Sequence, residues 1–340
     1  MTTVGLTGYG RYLPETVLTG EEVTAESEIP ESVVVEKMGV TEKRVCRPGE
    51  DHVTDMALRA AKQALSDADL EPNELDMVLY HGSEFKDYVV WSAAADVAER
   101  IGAESAYATE SYSLCAGAPI AIRQARAQLL AGDVDSALLV AASREEDLVN
   151  YGNEDSSFMF NFGSGASAMV LERDAGDRAR AQIHGSAAVT DGSFSRDVVM
   201  PGGGTRNPAS EETVTTGAHA LDVPDPEGMK ERLAPVSLPN YLEVADDALE
   251  RSGFDRSDLD FVALTHMKRS FHDRLLAELG VDPETDGYYL DEYGHVQSVD
   301  QVLALDEGLD RGRVEPGDTV CFLAAGTGYT WAASVLRWRG

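Results

Sequence analysis

The sequence predicts an α/β protein built from two similar halves, and two observations carry that expectation. Apolar runs of five to eight residues alternate with helical patterns such as residues 55–65 (DMALRAAKQAL) and 120–130 (IAIRQARAQLL), the signature of β–α units. The chain also repeats itself. Residues 64–80 (ALSDADLEPNELDMVLY) align without a gap with residues 248–264 (ALERSGFDRSDLDFVAL), and residues 135–143 (DSALLVAAS) align with 318–326 (DTVCFLAAG) at nearly the same offset. Each copy of the first block reads as a helix end, a polar turn and a buried strand. The repeat divides the chain into an N-terminal half, residues 1–174, and a C-terminal half, residues 175–340. Residues 190–231 break the symmetry: they are rich in Gly, Ser, Thr and Asp, and such a loop excursion is expected to line a site.

With 340 residues, 43% hydrophobic and 26% charged, the chain can bury a sizeable core. No stretch approaches the roughly 18 apolar residues of a membrane span, and the opening MTTVGLTGYGRYLPE lacks the basic and apolar regions of a signal peptide. A cytoplasmic protein is expected. Sixty acidic residues against 28 basic ones give a net charge of -32, spread along the chain. Nucleic acid and anionic membranes would be repelled by this field, and a phosphate-bearing substrate gains nothing from it. Six lysines against twenty-two arginines fit the solvating surface of a halophile's protein. In near-saturated salt the Debye length falls below about 3 Å, which screens the self-repulsion. Three cysteines, an odd number without CxxC spacing, argue against a disulfide framework or a zinc site, so no metal is expected.

Three residues stand where chemistry is expected. Cys115, in ESYSLCAGAPIAIRQ, falls where a strand-like stretch meets small residues and then a helical run. A helix amino terminus favours the thiolate, and the small residues 116–118 let an acyl chain or another backbone approach. Taken alone, Cys115 also fits an inert packed thiol. His266 directly follows the buried strand LDFVALT and should emerge at its carboxyl end, where α/β sheets place ligands. His295, in DEYGHVQSVDQ, lies on a Gly-containing turn into a helix. By the repeat, Ser298 falls opposite Cys115. If the halves pack about a pseudo-twofold axis, the two strand-to-helix junctions converge.

Several segments in the same order are similar to those of β-ketoacyl-acyl-carrier-protein synthase III and its relatives in the thiolase superfamily. They are GYGRYLPETVLTGEEV and MGVTEKRV near the start, LCAGAPIAI around Cys115, NFGSGASAMVLE at mid-chain, TDGSFSRDVVMP, and AAGTGYTWAASVLRW at the end. The resemblance implies a thiolase fold, two βαβαβαββ halves in a five-layered α-β-α-β-α sandwich, and a homodimer joined edge to edge. It implies a ping-pong acyltransferase: Cys115 takes an acyl group from coenzyme A or acyl-carrier-protein thioesters, and malonyl or acetyl thioester supplies a carbanion. These thioesters are substrates, and no cofactor is implied. His266 matches the family's catalytic histidine, which would donate to the enolate oxygen, and the amides of Cys115 and of the loop near Gly326 would form the oxyanion hole.

The departures from the family are as informative. Where the family carries asparagine in a GNTS-like motif, this chain has His295. The resulting Cys-His-His set resembles that of the elongating ketoacyl synthases: a histidine can donate as asparagine does, which keeps decarboxylative condensation open, and it can also act as a base, which opens non-decarboxylative condensation. Glu84, 31 residues before Cys115, looks like the catalytic glutamate of 3-hydroxy-3-methylglutaryl-CoA synthase; a solvated loop carboxylate is the other reading. The adenine-binding tryptophan and arginine of the family are replaced by Val33 and Lys37. Lys37, Lys43, Arg44, Arg206 and Lys268 are the cations expected to meet phosphates of coenzyme A. His272 is expected to be structural, and Cys46 and Cys321 are assigned no chemistry. Besides the synthase III reading stand a glutamate-assisted synthase adding acetyl carbon to a ketoacyl thioester, and a non-catalytic accessory subunit.

Overall fold

A computed structural model describes every residue except Met1 and Glu28, and Lys37 by its backbone alone. Eleven strands are present among the described residues: β1 (Val4–Tyr12), β2 (Val17–Thr19), β3 (Glu42–Arg44), β4 (Met77–Tyr80), β5 (Tyr107–Glu110), β6 (Ser136–Ser143), β7 (Gly165–Arg173), β8 (Ala181–Thr190), β9 (Phe261–Leu264), β10 (Thr319–Gly326) and β11 (Thr330–Trp338). The helices are α1 (Gly20–Ser27), α2 (Val53–Asp67), α3 (Ala93–Ile101), α4 (Gly117–Ala131), α5 (Glu211–Thr215), α6 (Pro226–Leu233), α7 (Ser237–Ser252), α8 (Arg269–Leu279) and α9 (Asp300–Asp310). Nine strands run in the order β5-β4-β6-β7-β1-β8-β11-β10-β9, and β2 pairs with β3 in a small hairpin.

The large sheet is two sheets hinged at one seam. β1 and β8 share only the pairs Gly5↔Gln182 and Leu6↔Ala181. On either side the pairing repeats: parallel β4–β6 then antiparallel β6–β7 and β7–β1 in one half, parallel β9–β10 then antiparallel β10–β11 and β11–β8 in the other. The counterpart of β5 shrinks in the second half to a single bridge, Val262↔Gly287.

Period-two alternation sorts the side chains into layers. Met77 and Leu79 face a central core with Ile122 of α4 and Leu303 of α9, whereas Val78 and Tyr80 face an outer core with α2 and α3. In the second half Phe261 and Ala263 join the central core, while Val262 and Leu264 pack outward on α7 and α8. The result is the α-β-α-β-α sandwich of a thiolase fold. The central helices lie between two sheets: α4 buries Ala118, Ala121, Ile122, Ala125 and Leu129 while Arg123 and Gln124 stay exposed, and α9 buries Val302, Leu303, Ala304 and Leu305 in succession. Tight layers need small residues. A Cβ on Gly8 of β1 would lie 2.4 Å from Ala64 O and 2.5 Å from Ala68 N, so glycine lets the backbone of α2 rest directly on the strand.

Symmetry is closest at the two strand-to-helix junctions. The 3-10 turns Leu114–Ala116 and Gln297–Val299 lead into α4 and α9. Each begins on a non-glycine residue in the left-handed region, Leu114 at φ 50° and Gln297 at φ 55°, a conformation that costs on the order of 1–3 kcal/mol. The turns meet back to back: a Cβ on Gly117 would fall 2.6 Å from His81 O and 2.8 Å from Ser298 Cβ, and Ser298 Oγ donates to His81 O at 2.9 Å.

The excursion at 190–231 is more ordered than its composition suggests. Ser210 and Thr213 form a capping box that opens α5, and Asp225 caps α6 with Pro226 in its first turn. Val223 and Met229 then pack against Met159 and Phe162. No helix among the described residues is long and apolar enough to cross a membrane.

By the same alternation His81, just past β4, shares the inward side of Met77 and Leu79. Its ring is fully buried and neither nitrogen has a partner among the described residues. Burial pushes its pKa from 6.5 down to about 3. The unfolded chain therefore binds a proton below pH 6.5 that the folded protein refuses, and stability falls with acidification from 6.5 to about 3, at up to about 1.4 kcal/mol per pH unit. Urea denaturation in high salt across this range is expected to show a shallower acid slope for His81→Leu than for the wild type.

Candidate active site

Cys115 lies in the first of the paired turns, one turn before the start of α4, with 8% of its surface exposed. Small neighbours make this possible. Gly326 ends β10 against the nucleophile turn, where a Cβ would lie 2.2 Å from Ser113 O and 3.1 Å from Cys115 N. Any side chain at 326 would displace the backbone that carries the thiol.

His295 comes from the opposite half and is held by its main chain. Its N–H donates to Asn161 O at 2.7 Å, and its carbonyl accepts from Gly163 N at 2.9 Å. Its ring packs edge-on against Phe162, with centroids 5.1 Å apart. The mid-chain NFGSG segment is thus a clamp on this histidine. Beneath the clamp Lys43 is fully buried and donates to Tyr151 Oη, Phe160 O and Phe162 O at 2.7, 2.8 and 2.6 Å. Burial lowers its pKa to about 7. The sequence reading gave Lys43 to phosphate binding, and the structure corrects it: no phosphate reaches a wholly enclosed amine already bound to three oxygens.

The two halves meet in a chain of three side chains. His295 Nε2 is 2.9 Å from Cys115 Sγ, and His295 Nδ1 is 2.6 Å from Asp300 Oδ2. Asp300, the first residue of α9, has no exposed surface; its Oδ2 also accepts from His266 N at 2.8 Å and its Oδ1 from Val296 N at 2.7 Å. A buried carboxyl that already accepts two backbone N–H bonds serves as an acceptor toward the ring nitrogen as well. Nδ1 therefore carries the hydrogen, and Nε2 is left to exchange a proton with sulfur. Burial alone would push the His295 imidazolium down, but Asp300 and Cys115 outweigh it and hold its pKa well above the usual histidine range.

His266 is the opposite case. Its ring is buried, stacks at a tilt on Tyr289 with centroids 4.8 Å apart, and has no hydrogen-bond partner at either nitrogen among the described residues. Tyr289 is itself fixed by donating to Met267 O at 2.7 Å. Burial, then the neighbouring His295 and His272, hold the His266 pKa well below the usual range. The two histidines of one site are thus shifted in opposite directions. His272 is buried on the other side of Tyr289, with Nδ1 3.1 Å from Asp273 Oδ1.

Other expected site residues stand apart. Glu84 is exposed and makes no hydrogen bond or ion pair among the described residues. The chain turns after β4 so that Ser83 points inward and Glu84 outward, and the inward carboxylate is Glu145, whose Oε1 accepts from Ser83 Oγ at 2.7 Å and Gln297 Nε2 at 2.8 Å. Burial raises the Glu145 pKa, with Glu84 adding to it against the hydrogen bonds and His295. Of the expected coenzyme A cations, Arg206 and Lys268 are exposed and free of ion pairs among the described residues. Arg44 sits 3.9 Å from Glu42, and the Lys37 side chain lies outside the described residues. Cys46 and Cys321 are buried, and burial pushes both thiols up to about 12. Sequence reasoning missed Asp300 and Glu145. Asp300 carried one legible signal, an acidic residue at a helix start five positions after His295.

A cysteine at a helix start, met at 2.9 Å by a histidine from the other half of a thiolase fold, is the arrangement of a condensing acyltransferase. The chain belongs to the 3-oxoacyl-[acyl-carrier-protein] synthase III family: that family's profile matches residues 111–192, and the profile of the synthase III C-terminal region matches 249–338. It is similar to the β-ketoacyl-[acyl-carrier-protein] synthase III of Desulfitobacterium hafniense, with 30% identity over 99% of this chain and 98% of the relative. The same enzyme of Symbiobacterium thermophilum is 30% identical over 98% of each chain. Among solved structures, the Pseudomonas aeruginosa 3-oxoacyl-(acyl carrier protein) synthase III superposes with a TM-score of 0.84 at 25% identity, covering 99% of each chain. The Aquifex aeolicus enzyme gives 0.82 at 24% identity, covering 98% of this chain and 100% of its own.

Asp300→Asn removes the charge behind His295 and, because both carboxylate oxygens are bound by N–H groups, also sets an amide NH2 against one of those donors. Alkylation of Cys115 by iodoacetamide at neutral pH is expected to slow by about 100-fold or more, with Cys46 and Cys321 unlabelled in both proteins by peptide mass mapping.

Proposed function

We propose that the protein makes 3-oxoacyl thioesters by passing an acyl group through Cys115. The observation that carries this reading is the Cys115–His295–Asp300 chain, with contacts of 2.9 and 2.6 Å. His295 holds the proton of the Cys115 thiol, the thiolate attacks the carbonyl of a coenzyme A or acyl-carrier-protein thioester, and the thiolate expelled from that donor takes the proton from His295. The amides of Cys115 and Gly326 hold the tetrahedral oxyanion. A lost donor of this kind typically costs about 2.7 to 4 kcal/mol of barrier. Malonyl or acetyl thioester then supplies the carbon nucleophile, with neutral His266 donating to its carbonyl oxygen.

The intact nucleophile and its partners favour an enzyme over an accessory subunit, and the exposed position of Glu84 gives a glutamate-assisted synthase no support at that residue. Arg44, Arg206, Lys268 and Lys37 are the cations that would meet phosphates, and no cofactor is needed. A second copy of this chain is the partner that best suits the open edge of β5, because Phe85, Tyr88, Val89 and Val90 form an exposed apolar run nearby. The acidic composition suits work in a concentrated-salt cytoplasm.

Incubation with a panel of acyl-CoA and acyl-carrier-protein thioesters in high salt, followed by intact-mass measurement, is expected to give one acyl adduct on the wild type and none on Cys115→Ala. Absence of an adduct with every donor would move the accessory-subunit reading to the front.

A further inference from the structure

The second half-reaction turns on what His295 presents once Cys115 is acylated. Asp300 accepts from His295 Nδ1, His266 N and Val296 N together, so Nδ1 keeps its hydrogen at every stage and only Nε2 can gain or lose one. Before acylation Nε2 shares a proton with the sulfur 2.9 Å away. That proton leaves with the departing thiol, and a thioester sulfur has none to return. In the acyl-enzyme Nε2 therefore faces the site as a lone pair backed by a buried carboxylate. An asparagine amide at this position would still be a donor; a carboxylate-backed imidazole is a base.

Resting on the reading of Cys115 as the acylated nucleophile, we propose that His295, held by Asp300, removes an α-proton from an unsubstituted acyl thioester such as acetyl thioester, so that condensation proceeds without decarboxylation. His266 cannot take this role, because Asp300 meets only its backbone N–H and no carboxylate among the described residues bonds its ring. It supplies the complementary function, a neutral N–H for the thioester carbonyl oxygen as the enolate forms. One donor and one base together are what enolisation needs, whereas loss of carbon dioxide needs donors alone.

The step balances. The α C–H bond breaks and its proton goes to Nε2. The α-carbon bonds to the acyl carbonyl carbon, the tetrahedral oxyanion collapses, the carbon–sulfur bond to Cys115 breaks, and the thiolate recovers the proton from Nε2. One acyl thioester and one acetyl thioester give a 3-oxoacyl thioester and a free thiol, with nothing oxidised or reduced.

The test uses wild type acylated from butyryl-CoA, with loading verified by intact mass. It is then offered acetyl-CoA in D2O or carboxyl-labelled malonyl-CoA, and deuterium in the acetyl methyl group is read by NMR beside release of labelled carbon dioxide. Exchange reports enolisation even where little product accumulates. The expected result is rapid exchange with little carbon dioxide; in His295→Asn, loaded to the same extent by longer incubation, exchange falls by about 100-fold or more while carbon dioxide release rises relative to it. A loaded wild type that releases carbon dioxide and leaves acetyl-CoA undeuterated overturns the inference, as does an asparagine variant that exchanges as fast as wild type. Failure of the wild type to load is a different outcome, which overturns the reading of Cys115 and the inference with it.

Discussion

Both oxygens of the Asp300 carboxylate are bound by N–H groups from the two segments that carry the histidines, His266 on one side and Val296 and His295 on the other. An ionised group with no exposed surface is expensive unless its hydrogen bonds are complete, and removing one partner of such a buried pair typically costs about 3–5 kcal/mol. The position at the start of α9 adds the helix dipole. One side chain thereby fixes the main chain before α8, the turn before α9 and the tautomer of His295. Its consequence reaches across the pseudo-twofold axis, because the nitrogen left over is the one that meets Cys115.

That meeting depends on two strained turns. Leu114 and Gln297 hold the same unfavourable backbone conformation at equivalent places in the two halves, and the small residues Gly117, Gly326 and Ser298 let the turns pack against each other and against β10. A duplicated fold supplies two such junctions for one structural solution, and here their chemistry has diverged. One carries Cys115 and the other a buried serine that bonds His81 O, with His295 three residues earlier. The electrostatics divide likewise, the pKa of His295 being pushed up by Asp300 and Cys115 and that of His266 pushed down by burial.

The halves, the layers and the positions of Cys115, His266 and His295 were legible because they leave periodic or local marks: alternating apolar runs, a gapless repeat, a small-residue stretch before a helix. Asp300 was not read as a site residue because its role depends on two segments that come together only in the folded chain. Lys43 and Glu84 show the same limit from the other direction. A cation in a family-like segment and an acid after a strand suggested ligand contact, but which way each side chain points is set by the clamp over Phe160–Phe162 for one and by the turn at Gly82 and Ser83 for the other. The helices inside residues 190–231 were hidden by composition, since capping boxes use the same Ser, Thr and Asp that mark loops.

Asp300 orients His295 with Nδ1 toward its carboxylate and raises the pKa of that imidazole beside Cys115, while burial lowers the pKa of His266 in the same site. Two-bond nitrogen–proton correlation spectra of the histidine rings at neutral pH, assigned with single histidine variants, test this directly. The account predicts an imidazolium pattern for His295 and a neutral pattern for His266, with His295 turning neutral and keeping hydrogen on Nδ1 when Cys115 is acylated. A neutral His295 with its hydrogen on Nε2 in the unmodified protein, or the charge found on His266 instead, would contradict it.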